Sequence, residues 1–446
     1  MSAIYSAIKL LSDDAMIHLW KLGRRWLVAY CYDNFDVMLK SVKWTQEASR
    51  VPLLKHLTSG LFISLPPGTV KADLWCSKYL WQQSCINDTL PDDHPGLALK
   101  PEFMRMLELY PQNWEHDQAG MNEMDRWNKW KFASDLILYG PQYFCQFALS
   151  LEPPETFDAI PLSKTECTPA KAMNIPNFTV ARNIKTIVNL LKQRGIYSED
   201  SAPHRPQTQQ TSSSDASDDK DDDDKMKRPK PIDNYIVLFH GDLGTGKRIA
   251  QALKHCAIEK SPWDWLQFVI YIFSLFHLKM AYANAIWHMF IQPLLARLNL
   301  MSVMHHVTIL QEKETGIIGK DPGFWRMHQI ITHNRRCRHL NCWQTEIHKC
   351  EGHETLENTG ERIDTLQSMP ERDEQFENGL VINKYYLLYE QLTYAMNVSN
   401  TESVEACLVP WTLIFKAVRK HKYAAEMIKH MTNVHFIYPP GLKRVV

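Results

Sequence analysis

The sequence predicts an α/β protein in which helices pack against a sheet and large helical regions extend this core. Two apolar stretches typical of strands, Tyr235–His240 and Phe268–Phe276, alternate with two helical patterns, Arg248–Lys260 and Met280–Leu298. Strands that alternate with helices are typical of a sheet covered by those helices. Hydrophobic residues make up 45% and aromatic residues 11% of the 446 residues, so the chain can bury a large core.

Composition and periodicity divide the chain into five segments. Residues 1–90 form the first part of the α/β core, because Arg24–Val37 and His56–Leu65 have strand composition. Residues 91–197 are predicted to be a mainly helical insertion, since tryptophans and leucines recur there at spacings of three and four. Residues 198–231 are acidic and contain prolines with almost no apolar side chains, which predicts a disordered linker.

The last two segments complete the predicted architecture. Residues 232–300 form the second part of the α/β core, and residues 301–446 form a helical C-terminal region. Ser399 with Glu402 fits a capping box at the start of one of its helices. Pro410 is expected to kink or interrupt that helix.

Charge and cysteine usage limit the function classes. Lysine plus arginine equals aspartate plus glutamate at 50 each, so binding to nucleic acid requires a local basic patch. The ten cysteines are scattered and the first residues do not have the pattern of a secretory signal, so we expect reduced thiols in the nucleus or cytoplasm. The most apolar stretch, Trp265–Leu295, contains several polar residues and is predicted to be buried core, not a membrane span.

The segment Gly241–Arg248, "GDLGTGKR", resembles a phosphate-binding P-loop. Its first glycine, Gly246 and Lys247 match the G-x-x-x-x-G-K pattern, but Arg248 stands where a serine or threonine normally binds magnesium. The downstream strand also lacks a terminal carboxylate. A P-loop nucleoside triphosphatase is therefore the weaker alternative.

Two aspartates at predicted strand ends indicate a different chemistry. Asp33 ends the first strand of the chain and Asp242 ends the strand Tyr235–His240. Carboxylates on adjacent strands can bind Mg²⁺ or Mn²⁺, which prefer oxygen ligands, and can direct a water or a 3′-hydroxyl at a phosphodiester. The alternative is structural, because aspartate is frequent in turns and at helix starts.

Two further groups of residues leave their roles open. The segment 333–354 contains three cysteines and four histidines, but Cys337 and Cys342 are spaced too widely for a standard zinc site, so zinc is disfavoured. Arginines before and within this segment (Arg326, Arg335, Arg336, Arg338) and lysines and an arginine near the C-terminus (Lys416, Arg419, Lys420, Lys422, Lys429) form either phosphate-contacting patches or solvated helix faces.

Six blocks of the chain together resemble an uncharacterised family, the domain of unknown function 6589, which is abundant in mushroom-forming fungi. They are "YDNFDV", "LKHLTSG", "DLWCSKYLW", "FHGDLGTGKRI", "FHLKMAYANAIW" and "VPWTLIFKAVRKHKYA". The organisation of the family is similar to that of transposases with a ribonuclease-H-like core. The resemblance therefore implies a ribonuclease-H-like mixed sheet with large helical insertions and a helical C-terminal region.

The resemblance also implies roles for individual residues. Such cores have one catalytic aspartate on the first strand, one on the fourth strand and a third carboxylate on a later helix, and Asp33 and Asp242 match the first two. Asn284 stands where the third is expected, and Glu390 is a fallback ligand on a later predicted helix. The leading hypothesis is a protein derived from a transposase, active or inactive, that acts on DNA with two divalent metals. The alternative is a non-enzymatic protein that binds nucleic acid or protein.

Overall fold

The computed structural model divides into two compact units, each assembled from separate stretches of the chain. Unit 1 comprises Met1–Lys100, Ser163–Ser274 and Asn433–Val446, and unit 2 comprises Pro101–Leu162 and Leu275–Thr432. The predicted linker, residues 198–231, lies outside the described residues. The structure describes residues 6, 10, 13, 14, 17, 19, 27–39, 53–84, 86–87, 103–156, 159–161, 163–196, 232, 234–293, 297, 299–349 and 374–446.

Unit 1 contains a five-stranded mixed sheet with the strand order β3-β2-β1-β4-β5. Strands β1 and β2 pair antiparallel, as do β2 and β3, whereas β4 is parallel to both β1 and β5. The predicted α/β class is therefore confirmed as a mixed α/β fold. The strands are β1 Val28–Leu39, β2 Leu53–Ser64, β3 Cys167–Pro169, β4 Val237–Gly241 and β5 Val269–Phe273.

The helices are numbered here in chain order through both units. In unit 1 they are α1 Ser77–Gln82, α4 Val180–Gln193, α5 Leu243–Cys256 and α13 Pro440–Val445. In unit 2 they are α2 Phe103–Leu107, α3 Glu123–Tyr139, α6 Leu275–Phe290, α7 Val303–Leu310, α8 Thr315–Lys320, α9 Gly323–Lys349, α10 Glu374–Asn397, α11 Thr401–Ala417 and α12 His421–Thr432.

Both faces of the sheet are covered within unit 1. Alternate side chains along a strand point to opposite faces, so the central strands β1 and β4 contribute apolar residues to both sides. One face carries Tyr30, Tyr32, Phe62 and Phe239, which pack with Ile187 and Leu190 of α4 and Ile249 of α5. The other carries Ala29, Leu238 and Ile272, which pack with Leu442 and Val445 of α13.

Strand β3 is the element of the sheet that the sequence does not predict. It has three residues, Cys167–Pro169, and lies in the segment predicted to be mainly helical. Three residues cannot show an alternating pattern, and a proline is tolerated only at the edge of a sheet, where β3 lies. Its position is set by pairing with β2, a long-range contact that local sequence does not record.

Unit 2 has a core of stacked aromatic side chains between its helices. The rings of Tyr282 on α6 and Trp411 on α11 lie 3.9 Å apart and nearly parallel, and both are fully buried. Pro410 lies inside α11, which continues through it. The N-cap of α11 is Asn400, whose side chain accepts from the Ser403 amide at 3.1 Å, so the predicted cap at Ser399 is displaced by one residue.

Among the helices of the described residues, none is both long enough and apolar enough to cross a lipid bilayer.

Candidate functional site

The parallel pairing of β1 with β4 sets the position of the two candidate carboxylates. Tyr30 pairs with Phe239, and Cys31 pairs with His240. Asp33 lies two residues after Cys31, and Asp242 lies two residues after His240. Because side chains alternate with a period of two, Asp33 lies on the same face of β1 as Cys31, whereas Asp242 follows the last residue of β4. Asp33 and Asp242 therefore each lie two residues beyond the last pair of two neighbouring strands of unit 1.

Asp33 lies on the exposed half of β1. Its side chain is exposed, and its Oδ1 accepts a hydrogen bond from the Asn34 amide at 2.7 Å. Across the antiparallel pair it stands opposite Ser59 of β2. The sequence suggested that Asp33 ends the first strand. The strand instead continues to Leu39, so Asp33 lies within β1. It does lie just beyond the last pairing of β1 with β4.

Asp242 connects β4 to α5 and caps that helix. Its backbone is still extended, with φ −72° and ψ 171°, and its Oδ1 accepts from the Thr245 amide at 2.6 Å. This is the capping role that the sequence left open as the structural alternative. A side chain at Gly244 would lie 3.2 Å from Asp242 Oδ2 and 3.4 Å from Arg248 Nη2. The carboxylate and the guanidinium therefore border the same small space, which the glycine leaves unfilled.

Asp33 and Asp242 both affect the pKa of the Cys31 thiol. Burial raises the pKa of the Cys31 thiol, and the negative charges of Asp33 and Asp242 raise it further. Both carboxylates therefore act on one thiol, which stays protonated at neutral pH. Beside it, burial lowers the pKa of His240, so this imidazole is held in its neutral form.

The glycine-rich segment packs as part of a helix. Helix α5 begins at Leu243, so Gly244, Gly246 and Lys247 lie in its first turns. Gly246 is required by packing, because a Cβ at this position would overlap the ring of Tyr271. The Tyr271 hydroxyl donates to the carbonyl oxygens of Gly241 at 3.1 Å and Asp242 at 2.7 Å. The predicted start of this helix, at Arg248, is five residues too late.

Asn284 and Glu390, the third candidate and its fallback, belong to unit 2. Asn284 is half-buried on α6, between the fully buried Ala283 and Ala285. Glu390 is on α10, and its side chain is 12% exposed. Its Oε1 accepts from the Thr332 hydroxyl at 3.3 Å, and its Oε2 lies 3.6 Å from Arg335 Nη2. Both carboxylate oxygens of Glu390 thus have partners inside unit 2.

A buried charge network surrounds that contact and was not foreseen from the sequence. Arg335 of α9 is fully buried and pairs through Nη1 with the Asp135 carboxylate of α3. The same carboxylate lies 2.7 Å from His339 Nδ1 and 3.2 Å from Lys131 Nζ. Burial lowers the pKa of His339 well below its usual range, so the neutral ring donates its Nδ1 proton to Asp135. Arg335, one of the possible phosphate contacts, is therefore a core residue.

The described part of the Cys/His-rich segment forms helix α9. Cys337 is exposed, Cys342 is half-buried and His339 is fully buried. Cys350 and His353 lie outside the described residues. Within the part of the chain that the structure describes, no three His, Cys, Asp or Glu side chains are grouped so that they could hold a metal ion.

Strand alternation could have identified the neighbours of the carboxylates. Cys31 and His240 each precede a candidate aspartate by two residues, so they share its face once both segments are taken as strands. Arg248 stood out only as a mismatch to the P-loop, yet it borders the space next to Asp242. Asp135 had no local signature in the sequence. Apart from Lys131, its partners Arg335 and His339 lie 200 or more residues further along the chain.

Comparison with known proteins supplies the family. The model of a family of unknown function, DUF6589, matches residues 103–446. No curated protein and no solved structure matches the chain. The matched region contains Asp242, Asn284 and Glu390, whereas Asp33 and the blocks "YDNFDV", "LKHLTSG" and "DLWCSKYLW" precede it. Because the match covers more than half of the chain, the protein belongs to the DUF6589 family.

Proposed function

We propose that this protein derives from a transposase with a ribonuclease-H-like core and that Asp33 and Asp242 form its divalent-metal site. The observation that supports the proposal is the parallel register of β1 with β4, because its last pair, Cys31 with His240, precedes Asp33 and Asp242 by two residues each. Asp33 lies on the first strand, and Asp242 directly follows the fourth strand. The cores that the family resembles have catalytic aspartates on their first and fourth strands. Unit 2 is made of two stretches inserted into the chain of unit 1, consistent with large helical insertions.

The side chains available fit a hard cation. Asp242 uses Oδ1 to cap α5, so Oδ2 is the oxygen it offers to a metal ion. The neighbouring Cys31 thiol has a raised pKa and stays protonated, which leaves carboxylate oxygens as the anionic ligands. Mg²⁺ often keeps several waters and is held by one or two carboxylates together with phosphates of the substrate. Two aspartates are therefore a sufficient, although sparse, protein contribution.

The proposed reaction is attack of water or a 3′-hydroxyl on a phosphodiester of DNA. Bound Mg²⁺ or Mn²⁺ supplies Lewis-acid polarisation of the phosphate and a more acidic water. Asp33 and Asp242 would supply the negative charge that holds the metal ion, and the capping bond from the Thr245 amide fixes the orientation of the Asp242 carboxylate. The Arg248 guanidinium borders the same space and can donate to a phosphate oxygen.

Asn284 favours a second candidate function. The resemblance assigns it the position of the third carboxylate, and its neutral amide holds a hard cation less tightly. A chain with this substitution can retain the fold and bind DNA or another protein without cutting DNA. Binding to DNA that is unchanged in the presence of a chelator, without nicking, distinguishes this function from the first.

Manganese-dependent nicking of supercoiled plasmid tests the proposal. We expect the wild-type chain to nick and Asp33→Asn or Asp242→Asn to reduce the rate at least about tenfold, the loss typical of damaged metal sites. Asparagine ranks with aspartate as an N-cap, so Asp242→Asn keeps α5 capped and changes mainly the charge. Asp36→Asn is the matched control, because Asp36 also lies on exposed β1 but bonds to His56 at 2.6 Å.

The pattern across the variants decides the outcome. Full nicking by Asp36→Asn with loss in the other two variants supports the carboxylate pair. Equal nicking by the wild type and Asp242→Asn, or no metal-dependent nicking by the wild type, contradicts the proposed activity.

A further inference from the structure

The turn between α11 and α12 in unit 2 carries a concentration of positive charge. Residues 416–429 contain five lysine and arginine residues and one acidic residue, Glu426. The basic side chains exposed in this stretch are Lys416, Arg419, Lys422 and Lys429. Glu426 Oε1 lies 3.9 Å from Lys429 Nζ, so Lys429 has an acidic partner. We call the other three exposed residues, Lys416, Arg419 and Lys422, the basic turn.

The basic turn differs from the arginines of the Cys/His-rich region, the other basic group whose role the sequence left open. In that group Arg335 is fully buried beside Asp135. Arg326 pairs with the Glu314 carboxylate at 3.1 Å. None of the three side chains of the basic turn forms an ion pair with a carboxylate among the described residues. The basic turn is therefore exposed charge that no acidic side chain in the described part of the chain compensates.

Arg419 has a backbone conformation that favours glycine. Its φ is 61°, in the left-handed region. Its amide donates to the Lys416 carbonyl oxygen at 3.2 Å, and the Lys420 amide donates to the Phe415 carbonyl oxygen at 2.7 Å. This pair of hydrogen bonds ends helices at a left-handed residue that is commonly glycine. A residue with a Cβ is less stable in this conformation, so the stability of the turn does not explain an arginine here.

The electrostatics of the two helices explain Lys416 but not Lys422. The C-terminal end of a helix has a partial negative charge, which Lys416 in the last turn of α11 compensates. Lys422 instead lies in the first turn of α12, where the helix has a partial positive charge and where no acidic residue is present. The positive charge of Lys422 is therefore unfavourable in the free protein, and a bound anion would offset it.

We propose that the basic turn binds the phosphate backbone of double-stranded DNA. Lysine and arginine side chains that contact phosphates position a protein on the duplex without reading its sequence. The planar Arg419 guanidinium suits a phosphate, because it can donate two parallel hydrogen bonds to it. The choice of DNA rests on the proposed function, but the basic turn does not include Asp33 or Asp242.

A membrane surface is the other large anion that exposed basic residues attract, and it fits this turn less well. Helices that lie on lipid bury an apolar face in it. Of the large apolar side chains in residues 411–432, all of which the structure describes, Leu413 is the one that is exposed. The exposed surface of the turn is therefore polar and basic, as phosphate contacts require.

Fluorescence anisotropy of a labelled DNA duplex with the full chain tests this proposal. A chelator is present, so that the duplex is not cut. Each phosphate contact lowers the logarithm of the association constant by about 0.9 for each tenfold increase in salt concentration. The double variant Arg419→Gly, Lys422→Gln removes two contacts, so we expect its salt dependence to be shallower by about 2 and its affinity at low salt to be at least about tenfold lower.

The single variant Arg419→Gly separates binding from folding. Glycine adopts the left-handed conformation without the steric cost of a Cβ, so this variant is expected to unfold at the same temperature as the wild type or at a higher one. It should nevertheless bind DNA more weakly, with a salt dependence shallower by about 1, because one phosphate contact is lost. Weaker binding by a protein that is at least as stable cannot result from misfolding.

The double variant Lys313→Gln, Lys320→Gln is the matched control. Both lysines are exposed, belong to unit 2 and lie outside the basic turn. Their replacement removes the same amount of positive charge, so it is expected to leave the affinity and the salt dependence at the wild-type values.

Three results would overturn the proposal. They are wild-type affinity of the variant Arg419→Gly, Lys422→Gln for DNA, an equal loss of affinity in the lysine control, and tighter binding of the wild type to phosphatidylserine vesicles than to the duplex. Nicking is measured separately with manganese. Intact binding through the basic turn without nicking contradicts only the proposed metal site, whereas nicking with undiminished binding by the basic-turn variant contradicts only the present proposal.

Discussion

Replacement of Arg335 by methionine is expected to destabilise unit 2 by about 3–5 kcal/mol, the range for a buried ion pair that loses one partner. Arg335 is fully buried and contacts the carboxylates of Asp135 and Glu390. Methionine keeps much of the length but removes the positive charge, so the buried Asp135 carboxylate keeps Lys131 and His339 beside it, of the partners found among the described residues. Hydrogen exchange of backbone amides in α9 and α10 measures this loss within unit 2.

Arg126→Met on α3 provides the control. Arg126 also pairs with two carboxylates, those of Asp117 and Glu123, but its side chain is 42% exposed. Exposed ion pairs contribute about 0–1 kcal/mol, so this variant is expected to change the exchange free energies by no more than that. If Arg335→Met proves as mild as Arg126→Met, the buried network does not stabilise the arrangement of α3, α9 and α10 as described.

Replacement of Gly246 by alanine is expected to destabilise unit 1 by about 1–3 kcal/mol, the usual range for overpacking. Alanine is favoured over glycine inside a helix by about 1 kcal/mol, so helix propensity alone predicts the opposite sign. The new methyl group would overlap the Tyr271 ring, which is held by hydrogen bonds to the carbonyl oxygens of Gly241 and Asp242. Steric overlap should therefore outweigh propensity. Urea unfolding followed by hydrogen exchange of the α5 amides measures the change.

Gly244→Ala is the control on the same helix. A Cβ there would lie 3.2 Å from Asp242 Oδ2 and would not meet a ring, so this variant should be neutral or more stable by up to about 1 kcal/mol. Tyr271→Ala in the Gly246→Ala background should show strong coupling in a double-mutant cycle, because the two side chains share one space. Additive effects, or a stabilised Gly246→Ala variant, would contradict the packing role of this glycine.

The predictability of the fold differs from element to element. Strands β1, β2, β4 and β5 and helix α6 were predicted with shifted ends, because each carries a long run of apolar, aromatic or β-branched residues. The start of α5 was misplaced because the glycines in "GDLGTGKR" suggested a loop. Glycine lowers helix propensity, but contact with Tyr271 favours it at Gly246, and this contact depends on the neighbouring strand.

The candidate site was only partly predictable. Asp33 and Asp242 were identified from their places along predicted strands, but that β1 and β4 are adjacent follows from long-range pairing that one sequence does not record. The capping role of Asp242 was foreseen only as an alternative, because an aspartate after a strand and before a helix suits either purpose. Glu390 was proposed from its place on a helix, whereas its partners Arg335 and Thr332 come from another helix.

Binding of Mn²⁺ in the absence of DNA tests the central claim most directly, because it separates the metal site from any surviving activity. Titration followed by electron paramagnetic resonance of free Mn²⁺ should detect binding to the wild type and to Asp36→Asn. Asp33→Asn and Asp242→Asn should each weaken that binding at least about tenfold, since each removes a carboxylate charge from the pair. Equal Mn²⁺ binding by all four proteins would contradict a metal site built from Asp33 and Asp242.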